Sequence, residues 1–242
     1  MSKPPRGVIL DLDGTLVDTV ADIHATLAAV FSGAGLAAPT LPAVRGMIGD
    51  GARALIERAL EHVVALNGPS EVDLLYRRFH EHYAAAPCHH SALYPGARAV
   101  LAQLRAQGSR IGLCTNKPQA ATVALLSALG LEAHFDAIVG GDVLPGIRKP
   151  DPAHLAAVLA ELGTPPSAAV MVGDSRNDVL TARALGMPCV LVSYGYTAVP
   201  ARALGADAVI DRLADLPKAL RQLGRPREKG SSVRPRRSDT LS

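Results

Sequence analysis

The sequence predicts an α/β protein: a doubly wound parallel sheet whose first strand is separated from the others by a helical insert. Three observations carry that prediction. A four-residue apolar strand, 7–10, runs into two aspartates, Asp11 and Asp13. Helical periodicity then continues from Asp18 to about Pro87. After Tyr94-Pro95-Gly96 the pattern changes to short apolar strands alternating with helices.

The run 7–10 is apolar throughout, as a central parallel strand covered on both faces requires. If the extended geometry continues past Leu10, Asp11 and Asp13 project from the same side of the chain. Gly14 permits the turn that follows, and Thr15 can cap or orient it. Two carboxylates at the C-terminal edge of a parallel sheet repel one another unless a cation joins them. Such edges are also where open α/β sheets bind ligands.

In the insert, Val17, Val20, Ile23, Leu27 and Val30 fall at helical spacing up to Gly33 and Gly35. Pro39, Leu41 and Pro42 open a second helix expected to carry Val44, Met47 and Ile48, broken at Gly49-Asp50-Gly51. A third spans 52–64 and stops at Asn67-Gly68-Pro69. Ser70 is expected to cap a fourth, with Leu74, Leu75, Phe79 and Tyr83 as its apolar stripe. Beyond it the helices are expected at 97–107, 118–129, 152–162 and 176–185, with strands at 110–114, 137–139, 168–172, 189–192 and 208–210. A short helix near Ala201 and a last one ending near Leu223 complete the set. Repeated units of this length demand a parallel sheet covered on both faces.

Composition narrows the function classes. At 48% apolar residues the chain can bury a full core, packed by aliphatic side chains because aromatics are only 3%. No stretch approaches a membrane span, and Met-Ser-Lys-Pro-Pro-Arg offers no leader-like apolar region. Cys88, Cys114 and Cys189 have no metal-ligand spacing, so a reduced, cytoplasmic protein is the expectation. Six basic residues face Glu228 and Asp239 beyond Gly224, so the net charge of +3 belongs to a tail read as disordered. Nucleic acid is not an expected partner of the folded body.

Three later strand ends carry chemistry. Thr115-Asn116-Lys117-Pro118 places a hydroxyl, an amide and free backbone N–H groups at a strand-to-helix turn, which suits a phosphate cradle or an ordinary helix cap. Lys149, held extended before Pro150, can present a point charge to a phosphoryl group. Gly173-Asp174-Ser175-Arg176-Asn177-Asp178 adds two carboxylates, the hard oxygen ligands that Mg²⁺ takes or the acidic first turn of a capped helix. His80, His82, His89 and His90 lack the spacing of a helical metal site and are read as solvated or partly packed.

The stretch Asp11-Leu12-Asp13-Gly14-Thr15-Leu16-Val17-Asp18 resembles the first motif of the haloacid dehalogenase superfamily, and the three later stretches resemble its remaining motifs in order. The resemblance implies a Rossmann-like core (1–17 and 90–223), an α-helical cap (18–89), and the tail 224–242. It implies Asp11 as nucleophile, Asp13 as general acid/base, and Thr115, Asn116 and Lys149 as phosphate ligands. Mg²⁺ would be held by Asp11, Asp13 and Asp174, with Asp178 acting through water or from behind.

The cap segment 45–60, together with Cys114-Thr115-Asn116-Lys117-Pro118, resembles bacterial 2-phosphoglycolate phosphatases. The implied partner is a small phosphorylated metabolite, the implied assembly a monomer or homodimer. Arg45, Gly49 and Gly51 are the candidates for reading a substrate carboxylate. A pyrophosphatase, a broad sugar-phosphate phosphatase, a phosphoglucomutase and an idle regulatory binding protein are the alternative readings. A dehalogenase is disfavoured because that branch lacks the second aspartate, Asp13.

Overall fold

The computed structural model describes residues 5–63, 69–86 and 88–223. The expected end of the third helix at Val64, its stop at Asn67-Gly68 and the basic tail lie outside the described residues. Six strands, β1 (Gly7–Leu10), β4 (Arg110–Cys114), β5 (Ala137–Val139), β6 (Ala169–Gly173), β7 (Cys189–Val192) and β8 (Ala208–Ile210), form one parallel sheet in the order β5-β4-β1-β6-β7-β8. β1 lies between β4 and β6, with Leu10 opposite Leu113 on one side and Val172 on the other. The chain builds outward from β1 first one way and then the other. The C-terminal ends of β1, β4 and β6 therefore face the crevice where the winding reverses.

Alternation along the strands divides the core into two layers. Val8, Leu10, Leu113, Val172 and Val192 pack with α5 (Ala97–Ala106), α6 (Gln119–Ala128) and α9 (Leu216–Leu223). Ile9, Met171 and Leu191 meet α7 (Pro152–Glu161) and α8 (Arg176–Ala184) on the opposite face. Gly112 lets α7 come close, since a Cβ there would lie 2.5 Å from Val158 Cγ1. No helix of the described residues is long and apolar enough to cross a membrane.

Between β1 and the rest of the sheet lie α1 (Val20–Ser32), α2 (Leu41–Arg45), α3 (Ala52–His62) and α4 (Pro69–Ala85). They share their own core, in which Leu27, Phe31, Val44, Ile56 and Leu75 are fully buried. Each such side chain contributes about 1.5–3 kcal/mol relative to an exposed one, which holds helices too short to persist alone. α2 ends at Arg45, where Gly46 stops it, so Met47 and Ile48 follow in a turn rather than in the helix. α4 begins at Pro69, a residue preorganised for a first helical position, so Ser70 lies inside the first turn and is not its cap. The chain leaves and re-enters the core through a two-stranded antiparallel ribbon, β2 (Val17–Asp18) and β3 (Ala92–Leu93).

Next to that ribbon, Asp22 of α1 ties down the returning chain. Its carboxylate accepts from the backbone N–H groups of His89, His90 and Ser91 at 2.8–3.1 Å and from the Ser91 hydroxyl. Burial opposes ionisation here, but the four hydrogen bonds together outweigh it and hold the carboxyl below the usual range. Asp22→Asn leaves all four of these donors without a charged acceptor and is expected to cost about 2 kcal/mol in thermal or urea unfolding. A carboxyl with a depressed folded-state pKa contributes its stability above the ordinary value of 3.8 and loses it as pH falls through the lowered one. The gap between wild type and variant is therefore full at neutral pH and closes in acid.

Candidate active site

The sheet delivers the carboxylates. Asp11 N donates to Val172 O at 2.9 Å, so strand geometry persists one residue past β1 and sets Asp11 at the crevice. β6 ends at Gly173 and passes directly into Asp174, while Asp178 stands in the first turn of α8. Carboxylate oxygens of Asp11, Asp174 and Asp178 lie within 4.8 Å of one another. Lys149 Nζ sits 3.0 Å from Asp11 Oδ1 and 2.7 Å from Asp178 Oδ1, with its side chain 1% exposed. Its own backbone N–H donates to His154 Nδ1, and His154 Nε2 bonds Gly140 O. That ring is thereby fixed as the neutral tautomer, and burial and then Lys149 lower its pKa.

Three buried carboxylates share one ammonium, and the electrostatics register the shortfall. Burial, with Asp178 adding to it against the pull of Lys149, pushes the Asp11 carboxyl up to about 6. Burial and then repulsion from Asp178 and Asp11 raise Asp174 well above the ordinary value. Burial by itself would weaken the Lys149 ammonium, but Asp11 and Asp178 outweigh it and hold the proton on. A divalent cation among these oxygens would supply the missing charge, and hard oxygen donors are what Mg²⁺ or Ca²⁺ accepts. Asp174 Oδ2 also accepts from Tyr196 N at 2.7 Å. Gly14, at φ +79°, admits the approach of Asp174, since a Cβ there would lie 2.6 Å from Asp174 Oδ2. Asp178 Oδ2 accepts from Asp174 N, Ser175 N and Ser175 Oγ, so this carboxylate stiffens the loop that carries Asp174.

Thr115 and Asn116 follow β4 at the same edge and are buried. Thr115 N pairs with Val139 O, and Thr115 Oγ1 accepts from Lys117 N. The first N–H of α6, on Gln119, is not open to a ligand, because Asp142 Oδ1 accepts it at 2.7 Å. Asn116 Nδ2 donates to Lys149 O and to Gly49 O of the insert, while its Oδ1 is buried without a hydrogen-bond partner. Asp13 has partners other than the Lys149 ammonium that pairs with Asp11. Its carboxylate accepts from Thr19 Oγ1 at 2.8 Å and stands 3.3 and 3.4 Å from Lys117 Nζ.

A cavity of about 60 Å³ opens between these loops and the insert, lined by Asp11, Asp13, Thr115, Asn116 and Lys117 on the core side. Ile23, Ile48, Gly49, Gly51, Leu55, Phe79, His80 and Tyr83 close it from the insert. That volume admits only a few water-sized groups. Arg45 is not among its lining residues. The Arg45 guanidinium donates to the carbonyls of Tyr194 and Gly195 and stacks 4.9 Å from the Tyr196 ring centroid, tying the insert to the core. Tyr196 Oη in turn accepts from Thr19 N and Val20 N, capping α1, and donates to Asp18. A second tie runs through Asn177, whose Nδ2 donates to Gly49 O and to Asp50, itself paired with Arg58. Of the four clustered histidines, His80 is half-buried and lines the cavity, while His89 and His90 are exposed and stack edge to face. Lys117, Tyr196 and Asn177 are the site neighbours that sequence reasoning missed. Lys117 had a signal, standing directly after Thr115-Asn116, but its burial had none.

The geometry has close counterparts. A model of haloacid dehalogenase-like hydrolases matches residues 5–186. Phosphoglycolate phosphatase of Caulobacter vibrioides is 44% identical over 214 residues, covering 88% of this chain and 89% of that protein. The Yersinia pestis protein of that name is 39% identical over 90% of this chain and 94% of its own length. Among solved structures, a predicted phosphoglycolate phosphatase from Haemophilus somnus superposes with a TM-score of 0.83 at 31% identity, covering 88% of this chain and 97% of that one. CbbY from Rhodobacter sphaeroides, in complex with phosphate, gives 0.76 at 27%, covering 88% and 96%. A carboxylate cluster at the reversal point of this sheet, a helical insert above it and relatives matched over nearly their whole length place the chain in one family: it is a haloacid dehalogenase-like hydrolase.

Proposed function

We propose that this hydrolase is a cytoplasmic, Mg²⁺-dependent phosphatase that converts 2-phosphoglycolate to glycolate and phosphate through an aspartyl phosphate. The observation that carries the reading is the under-neutralised cluster of Asp11, Asp174 and Asp178 opening, through Asp11 and Asp13, on a cavity sized for a short substrate. Relatives at 39–44% identity bear the name phosphoglycolate phosphatase, which points the substrate the same way.

In this reading Asp11 attacks phosphorus, the bond from phosphorus to the ester oxygen breaks, and Asp13 protonates the departing alkoxide. Asp13 then takes a proton from the water that cleaves the aspartyl phosphate, which releases inorganic phosphate and regenerates Asp11. Lys149 holds Asp11 in line while offsetting its charge, and the Thr115 hydroxyl and the Asn116 main-chain N–H hold phosphoryl oxygens, the Asn116 side-chain amide being engaged by Lys149 O and Gly49 O. The Asp11 and Asp174 carboxylates and the Asp13 carbonyl would hold the Mg²⁺, with Asp178 supporting them. When bound, the ion supplies the positive charge that lets an anionic nucleophile and an anionic phosphoryl group approach. Helices α1–α4 act as a cap whose Gly49–Gly51 loop docks on Asn116 and Asn177 and excludes bulk water.

Phosphate release from 2-phosphoglycolate, pyrophosphate, glucose and ribose phosphates and p-nitrophenyl phosphate tests the substrate. The expected result is a kcat/KM preference for 2-phosphoglycolate that vanishes when the metal is chelated. Equal rates across the panel would discard the substrate, and rates unaffected by chelation would discard the metal. Asp11→Asn removes the nucleophile without changing side-chain volume. It is expected to lower kcat by roughly 10⁴-fold or more with the unfolding midpoint retained, and turnover within tenfold of wild type would reassign the nucleophile.

A further inference from the structure

The two buried lysines of the site are held very differently. Lys149 lies at 2.7–3.0 Å from two carboxylates and is enclosed, a saturated ion pair. Lys117 stands 3.3 and 3.4 Å from the Asp13 oxygens, longer than the roughly 2.7–2.9 Å of a tight charge-assisted bond. Its ammonium lies 4.3 Å from the centroid of the Tyr83 ring, a cation–π contact that fixes it from the cap side. Lys117 is also the single ammonium or guanidinium among the described residues that line the cavity. Across the same cavity His80 presents a ring whose Nε2 is buried with no hydrogen-bond partner. An ammonium whose carboxylate contacts are long, and an unpartnered imidazole nitrogen, form a recognition pair for a second anion, beside the position where Asp11 takes the phosphoryl group.

We propose that Lys117, with His80 Nε2 as a second donor, binds the carboxylate of the substrate and so selects phosphorylated short-chain acids over neutral phosphomonoesters. The inference rests on the proposed reading of the substrate as 2-phosphoglycolate. It moves carboxylate recognition from the Arg45 and glycine loop of the cap, where the sequence pointed, to the floor of the core. Arg45 is engaged with main-chain carbonyls and Tyr196, and Gly49 offers Asn116 and Asn177 a carbonyl, which an anion would not approach. Tyr83 brings α4 onto Lys117, so the cap completes the site by fixing the ammonium.

Lys117 also touches Asp13, so a plain loss of activity would not separate recognition from positioning of the acid/base. The test compares kcat and KM of wild type, Lys117→Met and Lys117→Arg on 2-phosphoglycolate and on its carboxamide, 2-phosphoglycolamide, at saturating Mg²⁺. Wild type is expected to prefer the acid. In Lys117→Met, kcat/KM for the acid is expected to fall about 10- to 100-fold further than for the amide. Lys117→Arg is expected to restore part of the preference. His80→Ala, on the half-buried face of α4, is expected to reduce the acid-over-amide ratio in KM several-fold, and it serves as the readout should Lys117→Met not fold. Equal losses on both substrates in Lys117→Met would reduce Lys117 to a positioning residue for Asp13 and overturn the inference. An unchanged ratio in His80→Ala with a folded Lys117→Met that keeps its preference would overturn it as well. A wild type with no preference for the acid would overturn the substrate reading itself, so failure at each level is read from a different protein.

Discussion

Everything at the sheet edge answers to one constraint: Asp11, Asp174 and Asp178 are buried together around the single ammonium of Lys149. A buried charge left without its partner costs several kcal/mol, so each neighbour of this group must be placed closely. The winding reversal at β1 brings Asp11 and Asp174 to adjacent strand ends. Asp178 ties down the backbone before α8, and His154 anchors the main chain of Lys149. Even so the cluster keeps an excess of negative charge, which raises Asp11 and Asp174. The fold holds open a demand for positive charge at the point where its topology creates a crevice.

The helical insert is coupled to that edge by polar ties rather than by a shared apolar core. Its interior of Phe31, Ile56 and Leu75 is separate from the two layers that flank the sheet. Arg45 on the Tyr194 and Gly195 carbonyls, and Asn116 and Asn177 on Gly49, connect the two parts. Hydrogen bonds of this kind contribute about 1 kcal/mol each, little enough to be made and broken in a catalytic cycle. Asn116 joins the strand end after β4, the main chain of Lys149 and the loop of the insert through one amide, so the placement of Lys149 and the seating of the insert depend on the same residue.

Much of this was legible in the chain itself. The parallel strands announce themselves because each is an apolar run ended by a polar or glycine break, and β1 spans the predicted Gly7–Leu10. Asp11, Asp13 and Asp174 are marked in the sequence because they stand just past the ends of β1 and β6, whereas Lys149 is marked by the proline after it and Asp178 by its place in the first turn of α8. The ribbon of Val17–Asp18 with Ala92–Leu93 is not, since two-residue strands carry no period and their pairing spans the whole insert. The pattern around Arg45 suggests a substrate contact, and it cannot show that main-chain carbonyls of Tyr194 and Gly195, about 150 residues away in sequence, accept hydrogen bonds from its guanidinium. Lys117 was passed over for a similar reason. A lysine next to proline in a loop is ordinarily solvated, and its burial between Asp13 and Tyr83 is a property of the tertiary structure alone.

The central claim is that Asp11 itself carries the phosphoryl group between substrate and water. The direct measurement is a rapid acid quench of enzyme mixed with excess 2-phosphoglycolate and Mg²⁺ in the cold, followed by peptide mapping in a mass spectrometer. The account predicts one phosphoryl group per chain, confined to the peptide containing Asp11 and lost on treatment with hydroxylamine, as an acyl phosphate must be. Turnover that proceeds with no phosphorylated peptide, or with the group on any residue other than Asp11, would contradict it.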